Sequence, residues 1–289
     1  MIVWICTDME GLSGVDDWEQ CYAIDDDDPR YRYGLEQLAA DTNAAVAGCF
    51  DAGATEVRVL DGHGRNRNRG LVGRLDPRAT PVWIEARNPV RWEGLGPEVH
   101  AIAVVGQHAM AGTLDAFLDH TQIPKHVCRL TAAGREIGEL AQMALHAGAY
   151  GVPVAYVSGD DAACREATAL LPHVGFTVTK FGTGWSTCVL RNPEEVRTAM
   201  RRDIATSLRS VRREDALVRP APLDIALEWA WSEPADAMGR VPGVRRVSAR
   251  TVAWRIEDAR DIHTWPSAAW SPCTINGAVD PPESRKDVR

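Results

Sequence analysis

The stretch MIVWICTDMEGLSG, residues 1–14, opens with an apolar, β-favouring run from Ile2 to Cys6 and then changes character within two residues. Asp8 and Glu10 follow at once, and Gly11 and Gly14 force the chain to turn. This is the pattern of a buried strand that ends in a polar loop. Residues two apart in an extended chain point the same way, so Asp8 and Glu10 present two carboxylates to one point while Met9 faces the interior. Paired carboxylates suit a hard or borderline metal ion. Taken alone, an Asp-x-Glu is more often a turn cap beside a solvated acid, so the weight falls on what the rest of the chain delivers to the same place.

Downstream, apolar positions from Tyr33 to Ala52 recur with helical spacing, and Gly53 supplies a stop. Glu56 to Leu60 then alternates as a strand and ends in Asp61-Gly62-His63. Strand, helix and strand of this size make a right-handed βαβ unit, with both strand ends on one edge of a parallel sheet. A further short strand is expected at Pro81 to Glu85. Ala101 to Val105 is another apolar strand, closed by Gly106-Gln107-His108. Arg135 to Ala149 reads as a helix carrying Glu139 in its first turns, and Val152 to Ser158 as a strand ending in Gly159-Asp160-Asp161 before the helix Ala162 to Leu171. Asp160 and Asp161 read as that helix's N-cap. The acidic run Asp25 to Asp28 lacks the spaced ligands of a calcium loop and reads as a solvated loop.

The pattern predicts an α/β fold: a mostly parallel, doubly wound sheet with helices on both faces, plus a smaller C-terminal α+β domain. The expected divisions are a metal-binding α/β domain over about 1–190, the smaller domain over 191–262, and a tail or arm over 263–289 rich in Pro, Ser and charge. With 45% hydrophobic residues, 289 residues are ample for a large core. Lys and Arg number 32 against 40 Asp and Glu, a formal charge of −8 that argues against nucleic acid or an anionic membrane as partner. No leader pattern or membrane-length apolar window is present in the sequence, and seven scattered cysteines without a C-x-x-C pair read as thiols in a reducing compartment, so a cytoplasmic location is expected.

Asp8, Glu10, His63 and His108 therefore sit just after three apolar strands, and ligands of open α/β sheets gather at the strands' carboxyl ends. Each histidine alone is more often structural. Two carboxylates, two imidazoles and one further acid exceed what one tetrahedral zinc takes, which favours a two-metal site sharing a carboxylate.

The segments DMEGLSG (8–14), Asp61-Gly62-His63, GQHA (106–109), Ile137-Gly138-Glu139 and Ser158-Gly159-Asp160-Asp161 resemble, in order and spacing, the zinc-dependent D-aminopeptidase family. The resemblance runs from Met1 to about Ile262. It implies two zinc ions held by Asp8, Glu10, His63, His108 and Glu139, with Asp8 the bridge and His120 the catalytic group. It further implies a ring-like homo-oligomer, a decamer in the type member, and a small peptide or amide as substrate. Two departures stand out: His120-Thr121 runs into Gln122, Ile123 and Pro124, and Ala133 occupies a turn position where the family usually has asparagine.

On this reading two zinc ions activate a water for attack on an amide carbonyl, and His120 stabilises the oxyanion or protonates the leaving amine. Asp119, adjacent in sequence, is the candidate to orient His120. The departures leave an alternative open, an amidohydrolase acting on a non-peptide acyl or cyclic amide. A metal-binding protein without catalysis is a third possibility that activity on His120 variants separates.

Overall fold

The computed structural model describes residues 1–22, 27–64, 69–82, 92 and 94–266. The expected tail beyond 266, the strand residues after Val82, part of the loop at 65–74, and Asp25 and Asp26 of the acidic run lie outside the described residues.

In chain order the elements are β1 (Ile2–Thr7), α1 (Pro29–Asp51), β2 (Glu56–Asp61), β3 (Thr80–Pro81), β4 (Ala101–Gln107), β5 (Val127–Ala132) and β6 (Arg135–Glu136). They continue with α2 (Glu139–Gly148), β7 (Val154–Asp160), α3 (Asp161–Leu170), β8 (Gly175–Gly184), β9 (Thr187–Leu190) and α4 (Pro193–Ser210). The last are β10 (Leu223–Trp229), α5 (Ser232–Met238), β11 (Arg245–Arg246) and β12 (Thr251–Ile256).

Seven strands form one sheet in the order β3-β2-β1-β4-β7-β8-β9. All pairings are parallel except β8 with β9. From β1 the chain first adds β2 on one side and later β4 on the other, so the order reverses between β1 and β4. Such a switch opens a crevice at the strands' carboxyl ends, the usual ligand site of this architecture.

Strand β1 shows why the sheet has two covered faces. Val3 and Ile5 join a core with α1 and α4, including Leu38, Val46, Met200 and Ile204. Trp4 and Cys6, one residue out of phase, join the other core with Met143 and Ala144 of α2 and with Leu223, Leu227 and Trp254. Burying an aliphatic side chain of this size stabilises the fold by about 1.5–3 kcal/mol, so a one-residue slip of β1 would forfeit both interfaces.

The second sheet is antiparallel, in the order β11-β12-β10-β5-β6. The strands of this sheet come from both sides of residue 190, since β10 pairs with Val127–Ala132, while α4, beyond 190, packs on α1 and β8. The division expected near 190 thus does not follow sheet membership, because the antiparallel partner of β10 lies upstream of it.

The helix expected from Arg135 starts at Glu139 instead. Ala133 and Gly134 take φ of 50° and 75°, which reverses the chain into the β5–β6 hairpin, and Gly138 caps the helix. The start matters, because it puts Glu139 on the first residue of α2, facing the crevice. Among the described residues no helix is long and apolar enough to cross a membrane.

Candidate metal centre

Strands β1, β2 and β4 end side by side, and the residues that follow them converge. The β1 and β4 ends are locked together by Asp8 N–H donating to Val105 O and Gly11 N–H donating to Gly106 O, both at 2.8 Å. No side chain fits between them: a Cβ on Gly11 would lie 2.1 Å from Gln107 O, and one on Gly106, at φ 78°, would lie 2.3 Å from Asp8 O. Only glycine permits this approach, and it brings the Asp8–Glu10 carboxylates against His108. Met9 is fully buried, as the alternation requires.

Six ionisable side chains meet here, all from 0 to 9% exposed: Asp8, Glu10, His63, His108, His120 and Glu139. His63 Nδ1 lies 2.9 Å from Asp8 Oδ1 and 3.4 Å from Glu10 Oε2. His108 Nε2 lies 3.5 Å from both Asp8 Oδ2 and Glu139 Oε1. His120 Nε2 lies 3.8 Å from Glu139 Oε1 and 4.0 Å from Glu10 Oε1, and its ring stacks on that of His108 at 3.8 Å.

The opposite nitrogens of the three rings show how they are set. His63 Nε2 donates to Cys21 O at 3.0 Å, His108 Nδ1 to Ala109 O at 2.8 Å, and His120 Nδ1 to Leu118 O at 2.8 Å. A backbone carbonyl thereby fixes each ring and aims its other nitrogen at the carboxylates, the arrangement typical of metal-ligating histidines. Leu118 O, and not Asp119, orients His120; the Asp119 carboxylate is turned away to accept from Gly112 N–H at 2.7 Å.

The charges are strongly coupled. Burial, reinforced by Glu10, pushes the Asp8 carboxyl up to about 6. Burial acts on Glu10 in the same sense, but His63, His120 and His108 outweigh it and hold that carboxyl well below the usual range. Although burial opposes it, His108 is carried up to about 10 by Glu139, Asp8 and Glu10. Burial and the adjacent His108 push His120 down to about 4, which keeps it neutral.

Two sets of three ligand atoms each lie within 4.8 Å of one another: His108, His120 and Glu139, and Asp8, Glu10 and His108. His108 is common to both, yet a carboxylate is the suitable bridge because a neutral imidazole offers a single lone pair. Among the described residues His108 Nε2 is buried without a hydrogen bond, 3.5 Å from the Asp8 and Glu139 oxygens, a gap that a cation between them would close. Mixed imidazole and carboxylate donors match zinc.

Four residues outside the predicted ligand set support the cluster, and two of them, Tyr22 and Lys180, had no sequence signal. Tyr22, in an unpatterned loop, donates its hydroxyl to Glu10 Oε1 at 2.5 Å, and its ring lies 4.6 Å from His63. Lys180, fully buried on β8, donates to Glu10 O at 2.5 Å and Val15 O at 2.6 Å, holding both ends of the first loop. Asp160 caps α3 as expected through Ala163 N–H, and also accepts from Phe117 N–H at 2.9 Å, pinning the loop that carries His120. Gln122, at φ 64°, donates its backbone N–H to Glu139 Oε1 at 2.7 Å.

A family model described as D-aminopeptidase matches residues 1–268. The chain is 28% identical over 264 residues to a D-aminopeptidase of Bacillus subtilis (strain 168), covering 91% of this chain and 94% of that protein. It is also similar to the solved zinc-dependent D-aminopeptidase DppA from Bacillus subtilis, described as a self-compartmentalizing protease. The TM-score is 0.85 at 27% identity, with 93% of this chain and 96% of that one covered.

Proposed function

The chain belongs to the D-aminopeptidase family, and from that premise we propose that it is a dinuclear zinc hydrolase releasing N-terminal residues, D-residues included, from short peptides. Asp8, Glu10, His63, His108 and Glu139 would hold the metal, with Asp8 shared. The observation that carries the reading is the common setting of the three imidazoles, each donating outward to a backbone carbonyl and aiming its other nitrogen at the buried acids.

Zinc bound there supplies a Lewis acid for the scissile carbonyl and lowers the pKa of water toward neutrality. His120 supplies the proton transfer. Held neutral, with Nδ1–H on Leu118 O, it accepts a proton at Nε2 from the attacking water and passes it to the leaving amine. Tyr22 and the Gln122 N–H each donate to a carboxylate oxygen and so fix the Glu10 and Glu139 orientations. The same reading includes a cytoplasmic ring-like homo-oligomer, supported by the relative described as self-compartmentalizing.

A second reading, an amidohydrolase of non-peptide amides, draws on Gln122. Its side-chain oxygen lies 2.8 Å from His263 Nε2 while its backbone serves Glu139, so a residue that departs from the family pattern borders the metal cluster. The test is a panel of D- and L-dipeptides and N-acyl amides assayed with the zinc-loaded enzyme, before and after chelation. Chelator-sensitive release of N-terminal amino acids supports the peptidase; turnover of acyl amides alone selects the second reading.

A further inference from the structure

We propose that Lys125 anchors the C-terminal carboxylate of the substrate, so that the enzyme selects free-acid peptides of two to four residues; this rests on the peptidase reading above. Lys125 lies five residues after His120, in a left-handed conformation at φ 64° directly after Pro124. Its exposed side chain carries Nζ over two indoles, 5.4 Å from the Trp18 ring centre and 5.0 Å from that of Trp185.

Both indoles are tied to the metal cluster. Trp18 stacks on Tyr22 at 4.0 Å, and Tyr22 in turn bonds Glu10 and lies 4.6 Å from the His63 ring. Trp185 donates Nε1–H to Asp119 O at 3.2 Å, and its own carbonyl accepts from Leu118 N–H at 2.8 Å, so it braces the loop of His120. The rings form a continuous wall from the buried acids to the ammonium.

Lys125 makes no hydrogen bond or ion pair among the described residues, and ring faces engage the ammonium without using its three donors. The nearby acids are committed elsewhere: Asp17 and Glu19 face Arg30 at 4.0 and 3.8 Å, and Asp119 is held by Gly112 N–H. A positioned cation at the outer end of this wall of rings, with no ion pair among the described residues, suits a negatively charged substrate end. The ring-to-ring steps of 4.6 and 4.0 Å and the 5.4 Å to Nζ bound how far it stands from His63. At about 3.3–3.6 Å per extended residue, no more than about four residues span that wall. A peptide with its amino end at the acids therefore places its carboxylate within reach of Lys125.

The experiment compares zinc-loaded wild type with Lys125→Met and Lys125→Arg on a dipeptide and its C-terminal amide, with kcat and KM resolved. Wild type should prefer the free acid over the amide by roughly fivefold in kcat/KM, the scale of an exposed ion pair. Lys125→Met should bring that ratio toward one through KM, and Lys125→Arg should restore it. An acid-to-amide ratio in Lys125→Met equal to that of wild type overturns the anchor while leaving the peptidase standing. Absence of turnover on both compounds, with acyl amides hydrolysed, overturns the peptidase reading and the anchor with it.

Discussion

The loop from Asp8 to Val15 has two buried, charged sides that are built in opposite ways. On its rear side every charge is answered. Lys180 donates to the carbonyls of Glu10 and Val15, Thr179 Oγ1 donates to Gly11 O at 2.7 Å, and Asp41 accepts from Ser13 N–H at 2.8 Å and Arg197 Nε at 2.9 Å. On its front side three acids face three imidazoles whose inward nitrogens stand 2.9 to 4.0 Å from the carboxylates, one of them with no hydrogen bond at all. Burial is the same on both sides, so burial does not identify the site. Incomplete, convergent pairing sets the two apart: the rear is closed by its own donors and fixes the backbone, while the front, on the reading proposed above, takes a cation.

The contrast is sharpest under mutation. His120→Ala should lower kcat by on the order of 10²–10⁴-fold, the usual contribution of a positioned general acid or base. Bound zinc and the unfolding midpoint should stay near wild type; parallel loss of metal would make His120 a ligand instead. Lys180→Met should do the reverse in kind. It orphans two buried carbonyls, at about 1–3 kcal/mol each, so denaturant titration should show a lower stability before any specific effect on chemistry appears.

His146, on the far end of α2 from Glu139, tests whether one unpartnered nitrogen suffices to make a site. Its Nδ1 donates to Arg260 O at 2.8 Å and its Nε2 is buried without a hydrogen bond, but among the described residues it belongs to no group of three metal-capable side chains. Burial pushes it below its ordinary value of 6.5. Between the lowered value and 6.5 the unfolded chain holds a proton that the folded one does not, so this group makes stability rise with pH across that window and contributes no slope above it. His146→Phe should remove that slope in denaturant titrations and leave zinc content unchanged.

The smallest effect is expected at Ala133. A side chain other than Gly or Asn pays for φ of 50°, so Ala133→Asn should stabilise by about 0.5–1 kcal/mol with substrate preference unaltered. A changed preference would tie this turn to the pocket.

The strand-end acids and imidazoles were legible because a short apolar run followed by Asp8-x-Glu10, His63 or His108 encodes position directly: a parallel sheet aligns its carboxyl ends. Glu139 and His120 were legible only through resemblance to a family, since each depends on a turn, at Ala133-Gly134 and at Leu118, with no periodic signal. Asp119 does not orient His120, because neighbours in sequence point apart and the Leu118 carbonyl, two residues back, accepts from its Nδ1–H. Lys180 and Trp185 act across long sequence separations, where spacing carries no information, and Tyr22 and Trp18 act from a stretch with no periodic pattern.

The most direct test is zinc per chain by elemental analysis of purified protein, wild type beside His108→Ala. Two equivalents in wild type, with fewer in the variant and peptide hydrolysis falling in step, are the predicted result. Wild-type protein that takes up no zinc from a zinc-containing buffer would contradict it.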